Sequence, residues 1–122
     1  MVEAAPFKHI AIFESAGLAV VEFVDSKLMY TSEMVHEVGD ELSRVITECG
    51  HTKIVLDFRN VQYLSSMMLA RLAKLQQQVA QLKGQLKMCG LGPILKDTIR
   101  IGHFDRVFDI HDDVQSALTA IQ

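Results

Sequence analysis

Only two cysteines occur among 122 residues, Cys49 and Cys89, far apart and without a CxxC pair. That arrangement offers neither a zinc-binding pair nor a dithiol redox motif, and the two thiols read as small buried hydrophobes of a reducing compartment. Long apolar runs are missing too. None approaches the roughly 20 residues of a membrane span, and Met1 to Pro6 carry neither the basic start nor the long apolar part of a secretory leader. A cytoplasmic chain without membrane insertion is expected. Basic residues number 12 against 15 acidic ones, for a net charge of −3, and they are scattered singly. Such a surface has no electrostatic footprint for nucleic acid, so direct DNA binding is disfavoured.

Several chemical signatures are likewise incomplete. His36 and Asp40, at i and i+4, form the tightest metal-ligand pair, but two ligands are too few, and His9, His51, His103 and His111 fall at element ends without ligand spacing. Gly90-Leu91-Gly92-Pro93 follows a strand-like run as a dinucleotide fingerprint would, yet Leu95 stands where the third glycine belongs. A phosphorylatable Asp57 would need an acidic cluster near the first strand to hold a divalent metal, and Ile10 to Glu14 supplies only Glu14. The serines of Leu64-Ser65-Ser66-Met67 have no flanking glycine, so the G-x-S-x-G elbow of a serine hydrolase is absent. Neither a catalyst nor a cofactor nor a metal is expected.

What is present is a patterned globular chain, 49% hydrophobic and 22% charged, of the size of one domain spanning residues 1–122. His9 to Phe13 and Leu18 to Val24 are β-branched and aromatic, and flank the turn Ser15-Ala16-Gly17, which predicts two antiparallel strands. Beyond the loop Asp25 to Thr31, Val35, Val38, Leu42, Val45, Ile46 and Cys49 recur at helical spacing, with Thr31 or Ser32 as the cap and Gly50 as the stop. Lys53 to Phe58 is compact and apolar, as a central strand covered on both faces would be. Met68, Leu72, Leu75, Val79 and Leu82 form the next helical stripe, opposite the polar Arg71, Lys74, Gln77, Gln78 and Gln81. A strand at Gln85 to Cys89, a short helix from Pro93 to about Ile101, a strand at Arg106 to Ile110 and a final helix capped by Asp112 complete the order ββαβαβαβα. Its buried stripe is predicted as Val114, Ala117, Leu118 and Ile121. This alternation implies an α/β fold with a mostly parallel sheet.

Ser65 and Ser66 stand between the central strand and the most regular helix. A hydroxyl there can cap the helix, act as a nucleophile or accept phosphate. The nucleophile reading fails for want of an elbow, a base and an orienting acid. Capping and phosphorylation both remain, and they are compatible. No Asp or Glu occupies the first turns and Arg71 is the nearest charge, so a phosphoserine dianion would meet the helix dipole without local repulsion. Met68 is in phase with the core, which leaves Met67 as the surface candidate beside the serines.

The order of elements and the segment Ile54-Val55-Leu56-Asp57-Phe58-Arg59-Asn60-Val61-Gln62-Tyr63-Leu64-Ser65-Ser66 resemble the STAS domains, the family of anti-sigma factor antagonists. Gly84 to Leu91, Pro93 to Ile101, Asp105 to Ile110 and Ala117-Leu118 extend the resemblance over nearly the whole chain. It implies a five-stranded, mostly parallel sheet with an antiparallel N-terminal strand and about four helices. It also implies a partner, an anti-sigma factor with serine kinase activity, that phosphorylates the first serine of an Asp-Ser-Ser-Gly loop; by position that serine is Ser65. The unphosphorylated form binds the partner, which sets the sigma factor free, and the phosphorylated form does not. The expected contact surface is Ser65, Ser66, Met67 and Arg71, with Asp25 and Ser26 from the neighbouring loop. Leu64 and Met67 depart from the family pattern, in place of its aspartate and glycine. Two other roles taken by STAS-like domains stay open, a scaffold or sensory part of a larger assembly and a soluble accessory subunit of a membrane transporter. A homodimer is compatible with all of them.

Overall fold

A computed structural model describes residues 7–15, 17–24 and 31–121 of the chain. The elements are β1 (Ile10–Ser15), β2 (Leu18–Phe23), α1 (Ser32–Thr47), β3 (Lys53–Asp57), α2 (Ser66–Gln81), β4 (Gln85–Cys89), α3 (Pro93–Ile101), β5 (Asp109–His111) and α4 (Val114–Ala120). They build one five-stranded sheet in the order β1-β2-β3-β4-β5. β1 runs antiparallel to β2, and the remaining neighbours are parallel. Each parallel link carries a helix, as a parallel connection requires. The α/β class, the strand count and the antiparallel N-terminal strand expected from sequence are all present.

Strand alternation divides the side chains between two unequal layers. Ala19, Val21, Phe23, Ile54, Leu56, Phe58, Leu86 and Met88 face the stripes of α1, α2 and α3 in the main core. Phe23 and Phe58 meet there with ring centroids 4.8 Å apart. Val55 and Cys89 point the other way, against Ala117 of α4. β3 is thus covered on both faces, as its unbroken apolar run requires. Each fully buried Leu, Ile or Phe contributes roughly 1.5–3 kcal/mol to holding the layers together. At the start of β1, the buried Glu41 of α1 accepts the backbone N–H groups of Lys8 and His9, each at 3.0 Å.

Local details differ from the sequence reading in four places. Leu82 is 54% exposed, because α2 ends at Gln81 and Leu82 is already its C-cap. Cys49 lies beyond α1 and is only half-buried, whereas Cys89 is fully buried as expected. Asp113, not Asp112, caps α4 by accepting the Ser116 N–H at 2.8 Å. Arg106 to Phe108 do not form a strand: Val107 and Phe108 donate to the Phe104 carbonyl in a turn, and β5 starts three residues later, at Asp109. Phe108 is nonetheless buried, stacked on Phe104.

Candidate functional site

The parallel arrangement of β2, β3 and β4 brings their C-terminal ends to one edge of the sheet, the edge at which open α/β sheets bind their ligands. The loop leaving β3 is pinned there from the inside. Asp57 is buried, and its carboxylate accepts the Arg59 backbone N–H at 3.1 Å and the Arg59 Nε–H at 2.8 Å, while the same guanidinium reaches Glu22 at 3.0 Å. The hydrogen bond and charge of Asp57 hold the Arg59 guanidinium more firmly protonated than usual. Phe58 N–H donates to the Cys89 carbonyl and Val61 N–H to that of Phe58, each at 2.9 Å, which turns the chain back over the sheet. Val61 and Leu64 then sink into the core and leave Gln62 and Tyr63 outside.

Ser65 follows with extended backbone, φ −83° and ψ 162°, the geometry of an N-cap. Its Oγ accepts the Met68 N–H at 3.2 Å, and its carbonyl accepts the Leu69 N–H at 3.1 Å. The first turn of α2 contains no acidic side chain. Ser66 is exposed, Met67 is 52% exposed, and Met68 and Leu69 are buried. Arg71, one turn beyond Met67, is half-buried and lies across α1, with Nη2 3.4 Å from Asp40 Oδ1. It fits there because position 39 is glycine: a Cβ at Gly39 would stand 2.2 Å from Arg71 Nη2.

The serine loop is flanked by two grooves. One, about 600 Å³, runs between the starts of α1 and α2 and is lined by Ser32, Glu33, His36, Asp40, Met67 and Arg71 among others. The other, about 540 Å³ and mainly apolar, lies between Val61-Gln62-Tyr63 and Gly92-Pro93-Ile94-Leu95. Tyr63 is 52% and Ile94 is 70% exposed beside it. Ser65, Ser66, Met67 and Arg71 therefore lie together, whereas Asp25 and Ser26 fall outside the described residues. The second groove was not anticipated. Its one trace in the sequence is the adjacent pair Ile94-Leu95 after Pro93, of which only Leu95 can turn to the core. Cys89, at the end of β4, adds no reactive thiol: burial first, and then the charge of Asp57, pushes its pKa up to about 12. Among the described residues no three His, Cys, Asp or Glu side chains gather as a metal site, and no helix is long and apolar enough to cross a membrane.

Comparison with known proteins gives a consistent answer. The sequence profile of the STAS domain matches residues 16–117. BtrV of Bordetella bronchiseptica, described as a candidate anti-sigma factor antagonist, is 27% identical over 73 residues, 60% of this chain and 63% of that protein's length. An anti-sigma factor antagonist from Mycobacterium paratuberculosis superposes with a TM-score of 0.79 at 19% identity, covering 92% of both chains. The anti-sigma factor antagonist SpoIIAA in its unphosphorylated form superposes with a TM-score of 0.66 at 12% identity, over 90% of this chain and 94% of that one.

Proposed function

Because the chain belongs to the STAS domain family, we propose that it acts as an anti-sigma factor antagonist, a cytoplasmic binding module that captures an anti-sigma factor of the serine-kinase type. The observation that carries this reading is the placement of Ser65: a helix-capping hydroxyl between two grooves, on the edge where three strand ends converge. Met67, Tyr63 and Ile94 supply exposed apolar anchors around it. Ser66 and Arg71 complete the contact surface, with Asp25 and Ser26 assigned to it from the neighbouring loop.

Ser65 is the phosphoacceptor in this reading. Its Oγ sits at the positive end of α2 with no acidic side chain in the first turn, so the product dianion is locally tolerated. At the centre of an interface the same dianion must be desolvated against a partner shaped for a neutral hydroxyl, and the complex dissociates. The family's aspartate is replaced by the buried Leu64, so kinase recognition rests on the exposed residues Tyr63, Ser66 and Met67 instead.

Incubating the chain with its serine-kinase anti-sigma factor and ATP, and mapping the product by mass spectrometry, tests this. Phosphate on Ser65, and its loss in Ser65→Ala, is the expected result. Phosphate on another residue, or none with an active kinase, contradicts it. Recovery instead of a membrane permease or of a large homotypic assembly would favour the transporter or scaffold role.

A further inference from the structure

β1 is an outer strand of the sheet: β2 pairs with one side of it, and among the described residues no strand runs along the other. The hydrogen bond from the Val24 N–H to the His9 carbonyl, 2.8 Å, sets the parity of the pair. Antiparallel neighbours alternate between pairs that exchange hydrogen bonds and pairs that do not. The His9 carbonyl and the backbone groups of Ala11 and Phe13 therefore turn towards β2, and Ile10, Ile12 and Glu14 turn theirs outwards. Natural sheets guard such an edge with lysine, proline, a bulge or inward charges. The strand Ile-Ala-Ile-Phe-Glu-Ser has one charge, Glu14 near its C-terminal end, and neither lysine, proline nor a bulge.

The side chains alternate as well. Ile10 and Ile12 pack on the main core, so Ala11 and Phe13 lie on the opposite face, where α4 packs against β3, β4 and β5. Phe13 is left 57% exposed.

We propose that two copies of this chain pair β1 against β1, antiparallel about a two-fold axis through Ile12, so that two five-stranded sheets become one of ten strands. The register follows from which groups point outwards. Centring on Ile12 sets Ile12 opposite its own copy and Ile10 opposite Glu14, three residue pairs that each exchange two hydrogen bonds. Phe13 then stands opposite Ala11 of the second copy in the non-bonded pairing, where side chains approach most closely, and a large ring covers a methyl group. On the other face Glu14, which already bonds His51 Nε2 through one carboxylate oxygen, lies diagonal to the exposed Lys8 of the second copy, whose opposite charge is within reach of it. Neighbouring registers do worse. Centring on Ala11 needs the Lys8 N–H, which already donates to Glu41. Centring on Phe13 sets the two rings against each other and keeps only two bonded pairs. A single strand-to-strand contact is at the small end of specific interfaces, so the dimer is concentration-dependent.

Sedimentation velocity and amide hydrogen exchange on the purified full chain, over a rising concentration series, test the pairing. The mass should double, and over the same range the amides of Ile10, Ile12 and Glu14 should gain at least tenfold protection while that of Ala11 stays protected throughout. Phe13→Asp should restore the monomer and still unfold cooperatively, at a midpoint that no longer rises with concentration, with Ala11→Lys as the second variant if Phe13→Asp fails to fold. A monomer across the series, a dimer whose Ile12 amide stays unprotected, or a dimer that survives a folded Phe13→Asp overturns the proposal. The exchange result needs no variant, and it is independent of partner binding and phosphorylation.

Discussion

The hydroxyl of Ser65 has a structural task that is separable from the phosphoacceptor role proposed for it. As acceptor for the Met68 N–H it caps α2, and Ser65→Ala should lower stability by about 1 kcal/mol, read as a shift in the urea midpoint. Ser65→Asp keeps an N-cap acceptor and adds a charge that the helix dipole favours, so it should unfold no earlier than the parent while binding its partner more weakly. Loss of binding in that variant then reports on the interface rather than on unfolding. The residue before it behaves differently. Leu64 is 2% exposed, and restoring the family's aspartate with Leu64→Asp should cost about 3–5 kcal/mol, by burying a carboxylate and losing a core contact. Capping by Ser65 was legible because it depends on the residues next to it in sequence. The burial of Leu64 was not, since a loop residue turns inward only through distant packing, here alongside Val61 in the main core.

At the scale of elements, the joints hold most of the information. Glu41 ties the approach to β1 onto α1, and Glu41→Ala should cost about 1–3 kcal/mol by leaving two backbone N–H groups without their acceptor. Gly84 enters β4 so close to β3's approach that a Cβ there would stand 2.1 Å from the Thr52 carbonyl oxygen. Gly84→Ala should therefore cost about 1–3 kcal/mol, as overpacking against backbone does. β4 and β5 are joined by Lys87 and Asp109, whose hydrogen bond holds the Asp109 carboxyl below its ordinary value of 3.8. A lowered carboxylate pKa in the folded state adds stability above that value and loses it as pH falls through the folded one. The gap in melting temperature between the parent and Lys87→Met should accordingly narrow on acidification below about pH 4. Helical stripes and apolar strands were readable because their periods are local. The ends were less so: Asp112 and Asp113 are equal candidates as caps until the packing of Ala117 on Val55 sets the phase of α4. The Arg106 to Phe108 segment has strand composition but closes as a turn because Phe108 stacks on Phe104.

For the whole molecule, the sheet separates two kinds of surface. Its C-terminal edge gathers the serine loop and both grooves, while β1 lies at its lateral edge. The proposed antagonism and the proposed self-pairing therefore do not compete for residues. The order of elements and the serine loop were legible in the sequence, but the Tyr63 and Ile94 groove was not, because it joins loops that only the parallel topology brings together. Whether a charge at Ser65 breaks the proposed complex is tested by calorimetric titration of the serine-kinase anti-sigma factor, without ATP, into the parent chain, Ser65→Asp and Ser66→Ala. Ser65→Asp should bind at least about tenfold more weakly, a loss of about 1.4 kcal/mol or more, and Ser66→Ala should stay within about twofold of the parent. Equal affinities for the parent and a folded Ser65→Asp would contradict this prediction.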